Sequence, residues 1–175
     1  CRAIPVAWRT TAQRDRPGSR APAAGPYGEN RGSAMTTIQK QDFIDSIRDA
    51  LQYISYYHPK DYIQALARAW EREQSPAAKD AMAQILVNSR MCAEGHRPIC
   101  QDTGMVVVFV EAGMQVRWES DLDIEEMVNE GVRRAYSLPE NLLRASMVTD
   151  PAGNRTNTRD NTASIVHSRL VAGDK

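Results

Sequence analysis

Glu94–Val110 reads EGHRPICQDTGMVVVFV, and inside this stretch the chain changes period. Before it, apolar residues recur every three or four positions. Phe43, Ile44, Ile47, Leu51 and Ile54 form one helical stripe. His58-Pro59 closes that helix, because proline pushes the residue before it out of the α region. Tyr62, Ile63, Leu66, Ala67 and Trp70 predict a second helix that starts near Pro59. Ser75-Pro76 offers an N-cap followed by proline at the first helical position, and Ala78, Met82, Ile85 and Leu86 line a third helix that stops near Gly95. The aromatic and methionine side chains on these faces are expected in the core.

After the switch, Met105–Val110 is a short apolar run suited to a buried strand. Met114, Val116 and Trp118 alternate with polar residues after Gly113, which predicts a hairpin. Leu122, Met127, Val128, Val132 and Tyr136 give a fourth helix that Pro139 ends. Ala145–Val148 and Ala163–Val171 read as extended, with Asp150-Pro151-Ala152-Gly153 turning between them. Helices first and strands later is an α+β pattern, N-terminal helices followed by a mixed or antiparallel sheet. No element closes the chain after the last extended segment, so the expectation is a domain truncated at Lys175.

Composition narrows the class. Of 175 residues, 42% are hydrophobic and 25% charged, which argues against wholesale disorder or a fibrous repeat. No run approaches the ~18 apolar residues of a membrane helix. A net charge of zero gives no support for a nucleic-acid or membrane-surface binder. Three cysteines are too few for a disulfide scaffold and point to a reducing, cytoplasmic setting. The average hides a break, however. Residues 1–34 hold six arginines, no lysine and two acids, with four prolines and four glycines, and show no sustained periodicity. They read as a disordered leader upstream of a true start at Met35, with 35–175 as the folded part. The Arg-rich start suggests a mitochondrial transit peptide, but Pro5, Pro17, Pro22 and Pro26 spoil the amphipathic helix; a basic nucleic-acid arm is the other functional reading.

Two groupings could carry chemistry. Cys92, His96 and Cys100 recur at four-residue intervals and invite a small zinc-binding, non-catalytic module, although Gly95 and Pro98 interrupt the helix between them. Cys92 on its own reads as a buried small hydrophobe. Cys100-Gln101-Asp102-Thr103 sets a thiol, an amide, a carboxylate and a hydroxyl side by side at the mouth of a strand, and Gly104 permits a positive φ where the chain turns. Backbone N–H groups in such a turn stabilise a thiolate or sulfide. From these residues alone, Cys100 is either a nucleophile or an iron ligand. His96 is separated from it by a proline, and no other histidine is an obvious base. Taken singly, Asp102 would be a turn cap, Arg144 a solvated charge, and His58, His96 and His167 structural.

RPICQDTG (97–104) resembles the first cluster-ligand motif of the iron–sulfur (class I) fumarate hydratases. The likeness extends through DALQYISYYHPKDYIQAL (49–66), SPAAKDAMAQILVNSRM (75–91), EEMVNEGVRRAY (125–136), NLLRAS (141–146) and NTRDNTASIVH (157–167), so it covers 36–174 and leaves out the leader. The resemblance implies the N-terminal part of a hydro-lyase of the tricarboxylic acid cycle that reversibly hydrates fumarate to malate. It implies a 4Fe–4S cluster on three cysteines, Cys100 among them, with the other two expected beyond residue 175. Gln101 and Asp102 would contact the dicarboxylate substrate, Asp102 near the reacting hydroxyl, and Arg144 would grip a carboxylate. A homodimer is implied for the whole protein, and the fragment alone should be inactive. The alpha subunit of an L-tartrate dehydratase shares this N-terminal pattern and is the alternative. One departure is visible: Ala163-Ser164 stands where the family commonly has proline and alanine.

Overall fold

A computed structural model describes residues 35–100, 104–139 and 143–175. The leader therefore lies outside the described residues, as do Gln101 and Asp102. The order is β1 (Thr37–Gln39), α1 (Lys40–Tyr56), α2 (Lys60–Arg72), α3 (Pro76–Gly95), β2 (Val107–Gly113), β3 (Arg117–Glu119), α4 (Ile124–Ser137), β4 (Val148–Thr149), β5 (Thr156–Asn157) and β6 (Ile165–Val171). Three helices followed by small sheets make an α+β architecture.

The helix boundaries follow local chemistry. Ser75 accepts from Ala78 N–H at 3.5 Å and opens α3, which closes on His96 in the left-handed region. Asp123 and Glu126 form a reciprocal capping box at the start of α4, so two otherwise orphaned N–H groups are satisfied together. α1 packs on α4, and Ile44, Met127, Val128 and Val132 are fully buried there. Val106 of the strand approach joins Val128 and Val132, flanked by Phe43, Ile47, Leu51, Val108 and Val166. Burying each such aliphatic side chain contributes roughly 1.5–3 kcal/mol, so this seam dominates the local stability.

Strand pairing departs from the expected hairpin. β2 pairs in parallel with β6, from Val107↔Ile165 to Gly113↔Val171. β3 pairs in parallel with β1, and only β4–β5 is antiparallel. The reason lies in the turn: the N–H groups of Gly113, Met114 and Gln115 are taken by the carbonyls of Lys175, Val171 and Gly173. With those donors engaged by the chain after β6, β3 leaves toward the start of α1, where Trp118 meets Phe43 edge-on at 5.3 Å.

Two burial expectations are also corrected. β2 is covered on one face, while Val107 and Phe109 are exposed on the other. α2 has no buried residue, and Ile54, Tyr62, Trp70 and Ile85 are exposed rather than in the core. Lys79 caps the Trp70 ring at 4.7 Å. Periodicity finds an apolar face; it does not say what covers it.

Candidate functional site

Cys100 is exposed and takes part in no disulfide. The chain approaching it is held by two helices: Ile99 N–H donates to Ser55 O of α1 at 2.9 Å, and Ile99 O accepts from Asn88 Nδ2 of α3 at 3.2 Å. Arg97 N–H bonds Cys92 O at 3.0 Å, which folds Arg97 and Pro98 back over the end of α3. On the far side, Gly104 takes φ +58°, the conformation expected for the turn into the strand. The described residues on either side of 101–103 are thus both anchored.

The far anchor is Asn161, a residue that periodicity and motif reading passed over. It is fully buried. Its Nδ2 donates to Gly104 O at 3.1 Å, and its Oδ1 accepts from Ser146 N–H at 2.9 Å and Met147 N–H at 3.1 Å. A carbonyl on one side and two N–H groups on the other allow one amide orientation only. Asn161 sits at φ +60°, where a non-glycine residue is uncommon and asparagine is enriched. The available sequence signal was an asparagine inside a polar run just ahead of a strand.

Asn161 is itself held from α4. Arg133 pairs with Asp160 at 3.3 Å, and Asn129 Oδ1 accepts both the N–H and the hydroxyl of Ser164 at 2.8 Å. Burial acts to raise the Asp160 pKa, but the Thr162 N–H and hydroxyl and the Arg133 charge outweigh it and hold the carboxyl below its ordinary value. The Thr162–Ala163 peptide bond is cis.

Arg144 is exposed and lies two residues before the Asn161 contacts. Its segment is pinned further by Asn157 Nδ2 on Ala145 O at 3.0 Å and by Thr158 N–H on Met147 O at 2.9 Å. The structure therefore brings the Gly104 end of the Cys100 loop and the backbone just after Arg144 to one side chain. The zinc triad, by contrast, is not gathered. The Cys92 thiol is buried against Asn88 Oδ1 and Pro98 O, and His96 stacks on Tyr56. Among the described residues, no three histidine, cysteine, aspartate or glutamate side chains group to hold a metal ion. His58 contacts Ser89 Oγ through Nδ1 at 3.0 Å, and burial lowers its pKa.

The model of the family described as fumarate hydratase (Fumerase) matches residues 44–175, three quarters of the chain and every block of this site. The chain belongs to the class I fumarate hydratase family. Two relatives are similar to it. "Putative L(+)-tartrate dehydratase subunit alpha" of Methanocaldococcus jannaschii is 31% identical over 91 residues, which is 52% of this chain and 32% of that protein. "Fumarate hydratase class I, anaerobic" of Escherichia coli (strain K12) is 30% identical over 142 residues, 81% of this chain and 24% of that protein. This fumarate hydratase family chain thus spans about a quarter to a third of the length of the curated relatives it matches. The family is one of hydro-lyases. No described helix is long and apolar enough to cross a membrane.

Proposed function

We propose that this chain supplies one ligand of a 4Fe–4S cluster and part of the dicarboxylate site of a cytoplasmic fumarate hydratase, a homodimer when whole. The observation that carries the reading is the convergence on Asn161 of Gly104, four residues after Cys100, and Ser146, two residues after Arg144, within the region the family model matches. An exposed cysteine just after the anchored Ile99 suits one corner of such a cluster. The remaining sulfur donors would come from outside the described residues.

Cys100 would hold one corner of the cluster, which when bound would supply Lewis-acid chemistry at the substrate hydroxyl. The residues of the chain have complementary work. Arg144 presents a planar guanidinium, which donates two parallel hydrogen bonds to a carboxylate and so fixes the substrate's orientation. Gln101 can donate to a second substrate oxygen. Asp102, which the family resemblance sets near the reacting hydroxyl, would give a proton to the departing hydroxyl as the C–O bond breaks and take one from the incoming water as it forms.

The archaeal relative's name keeps tartrate as a second reading, since tartrate differs from malate by one hydroxyl. The protein as its gene encodes it, reconstituted anaerobically, should form fumarate from malate faster than oxaloacetate from L-tartrate. The opposite preference would exchange one assignment for the other. Cys100→Ala should abolish cluster loading and Cys92→Ala should preserve it. Equal damage from both changes would favour a zinc module.

A further inference from the structure

We propose that Asn161 is a positioning residue that couples the cluster-bearing loop to the substrate-gripping segment, an inference that rests on the function proposed above. Both segments bond the same buried amide: Gly104 O receives its Nδ2 hydrogen, while Ser146 and Met147 give their N–H groups to its Oδ1. A polar group left buried without a partner carries its full desolvation penalty, so breaking any one of these bonds is disfavoured. Asn161 cannot follow one segment and abandon the other without that penalty.

Its backbone is also clamped. Asp160 on one side is paired to Arg133, and Ser164 beyond it is doubly bonded to Asn129; both partners belong to α4, whose opposite face is the buried seam with α1. α4 is therefore a positional reference shared by Gly104 and the backbone just after Arg144, while Ile99, ahead of Cys100, is held from α1 and α3. The Asn161 amide sets the spacing between Gly104, four residues after Cys100, and Ser146, two residues after Arg144.

Two substitutions separate the arms. Asn161→Asp keeps the acceptor for Ser146 and Met147 but sets an oxygen against Gly104 O. Asn161→Gly tolerates the positive φ and removes both arms. Amide hydrogen exchange on the cluster-free protein, as its gene encodes it, reads the bracket without relying on the catalytic assignment. Ser146 and Met147 should stay protected in Asn161→Asp and lose protection in Asn161→Gly. On the reconstituted protein, iron and sulfide should be lost about tenfold faster in both variants, the scale seen when groups supporting metal ligands are removed. The apparent KM for malate should stay near wild type in Asn161→Asp and rise about fivefold or more in Asn161→Gly, as expected for a lost positioning hydrogen bond.

Three outcomes overturn the coupling. One is a folded Asn161→Gly with wild-type exchange at Ser146 and Met147. Another is an Asn161→Asp cluster as durable as wild type's. The third is a uniform loss of protection, iron and KM in both variants that tracks the thermal midpoint, which would mark Asn161 as merely structural. Should neither variant accumulate, wild-type exchange decides, since unprotected amides at Ser146 and Met147 are incompatible with the bracket. If wild type takes up no iron while the exchange pattern holds, the function has failed and the bracket has not.

Discussion

Single side chains carry the most direct tests. Arg144 is exposed, and lysine would keep the charge while losing the planar fork. Arg144→Lys in the whole enzyme should raise the malate KM about tenfold, the loss of one charge-assisted bond, with iron content unchanged. Unaltered steady-state kinetics would remove Arg144 from the site. Asp160 makes a prediction about stability. Its folded pKa is depressed, net of burial, by the Thr162 donors and Arg133, so the folded state binds fewer protons than the unfolded one near that value. The stabilisation is fully present above the unfolded aspartate value of about 3.9 and fades as pH falls through the lower folded pKa. The urea midpoint of wild type should therefore exceed that of Asp160→Asn by a constant margin above about pH 5, and the margin should close below about pH 4. A margin that widens on acidification would contradict the pairing. Because Asp160 and Arg133 are partly solvated, added salt should narrow it throughout.

Among the elements, the α1–α4 contact is the one that sequence pattern left half-read. The stripes on both helices were legible, as were the stops at Pro59 and Pro139, because proline and capping chemistry act locally. Gly131 was not legible as a contact, since nothing in periodicity says that two backbones meet there. A Cβ added to Gly131 would fall 2.6 Å from Ile47 Cβ and 2.8 Å from Ile44 O. Neither atom is the free end of a side chain, so the helices themselves would have to separate. Alanine gains up to about 1 kcal/mol of helix propensity over glycine. Overpacking costs about 1–3 kcal/mol in a fitted interior, so the clash should win. Gly131→Ala should lower the denaturation midpoint by the equivalent of about 1 kcal/mol or more, measured by urea with circular dichroism. A raised midpoint would mean that the helices already leave room.

At the level of the whole molecule, what the sequence concealed is long-range. Extended character at 105–110 and 163–171 was readable, yet the parallel pairing of β2 with β6 joins residues 58 positions apart, Val107 to Ile165. The hairpin expectation failed because alternation marks a strand without naming its neighbour. The candidate site divides the same way. Cys100 and Gly104 stood out because a thiol and a positive-φ glycine are recognisable in one short turn, whereas Asn161 gains its role only when three distant segments fold together. Distribution of sulfur over the chain then limits what these 175 residues can do alone. The sequence has three cysteines, and the Cys92 thiol is buried against Asn88 and Pro98, leaving Cys100 as the exposed thiol among the described residues. Cubane clusters are held by several thiolates, and exposing Cys92 would mean dismantling the end of α3 and the approach to Cys100 itself. Anaerobic reconstitution of the 175-residue polypeptide should therefore yield substoichiometric iron and sulfide and no stable cubane signal by electron paramagnetic resonance after reduction. Clusters bridging two or more copies would show as a rise in native mass that dilution reverses. A full complement of iron and sulfide on a monomeric 175-residue chain would require Cys92 to leave its buried position, and would break the argument that Cys100 serves as one corner of a cluster completed elsewhere.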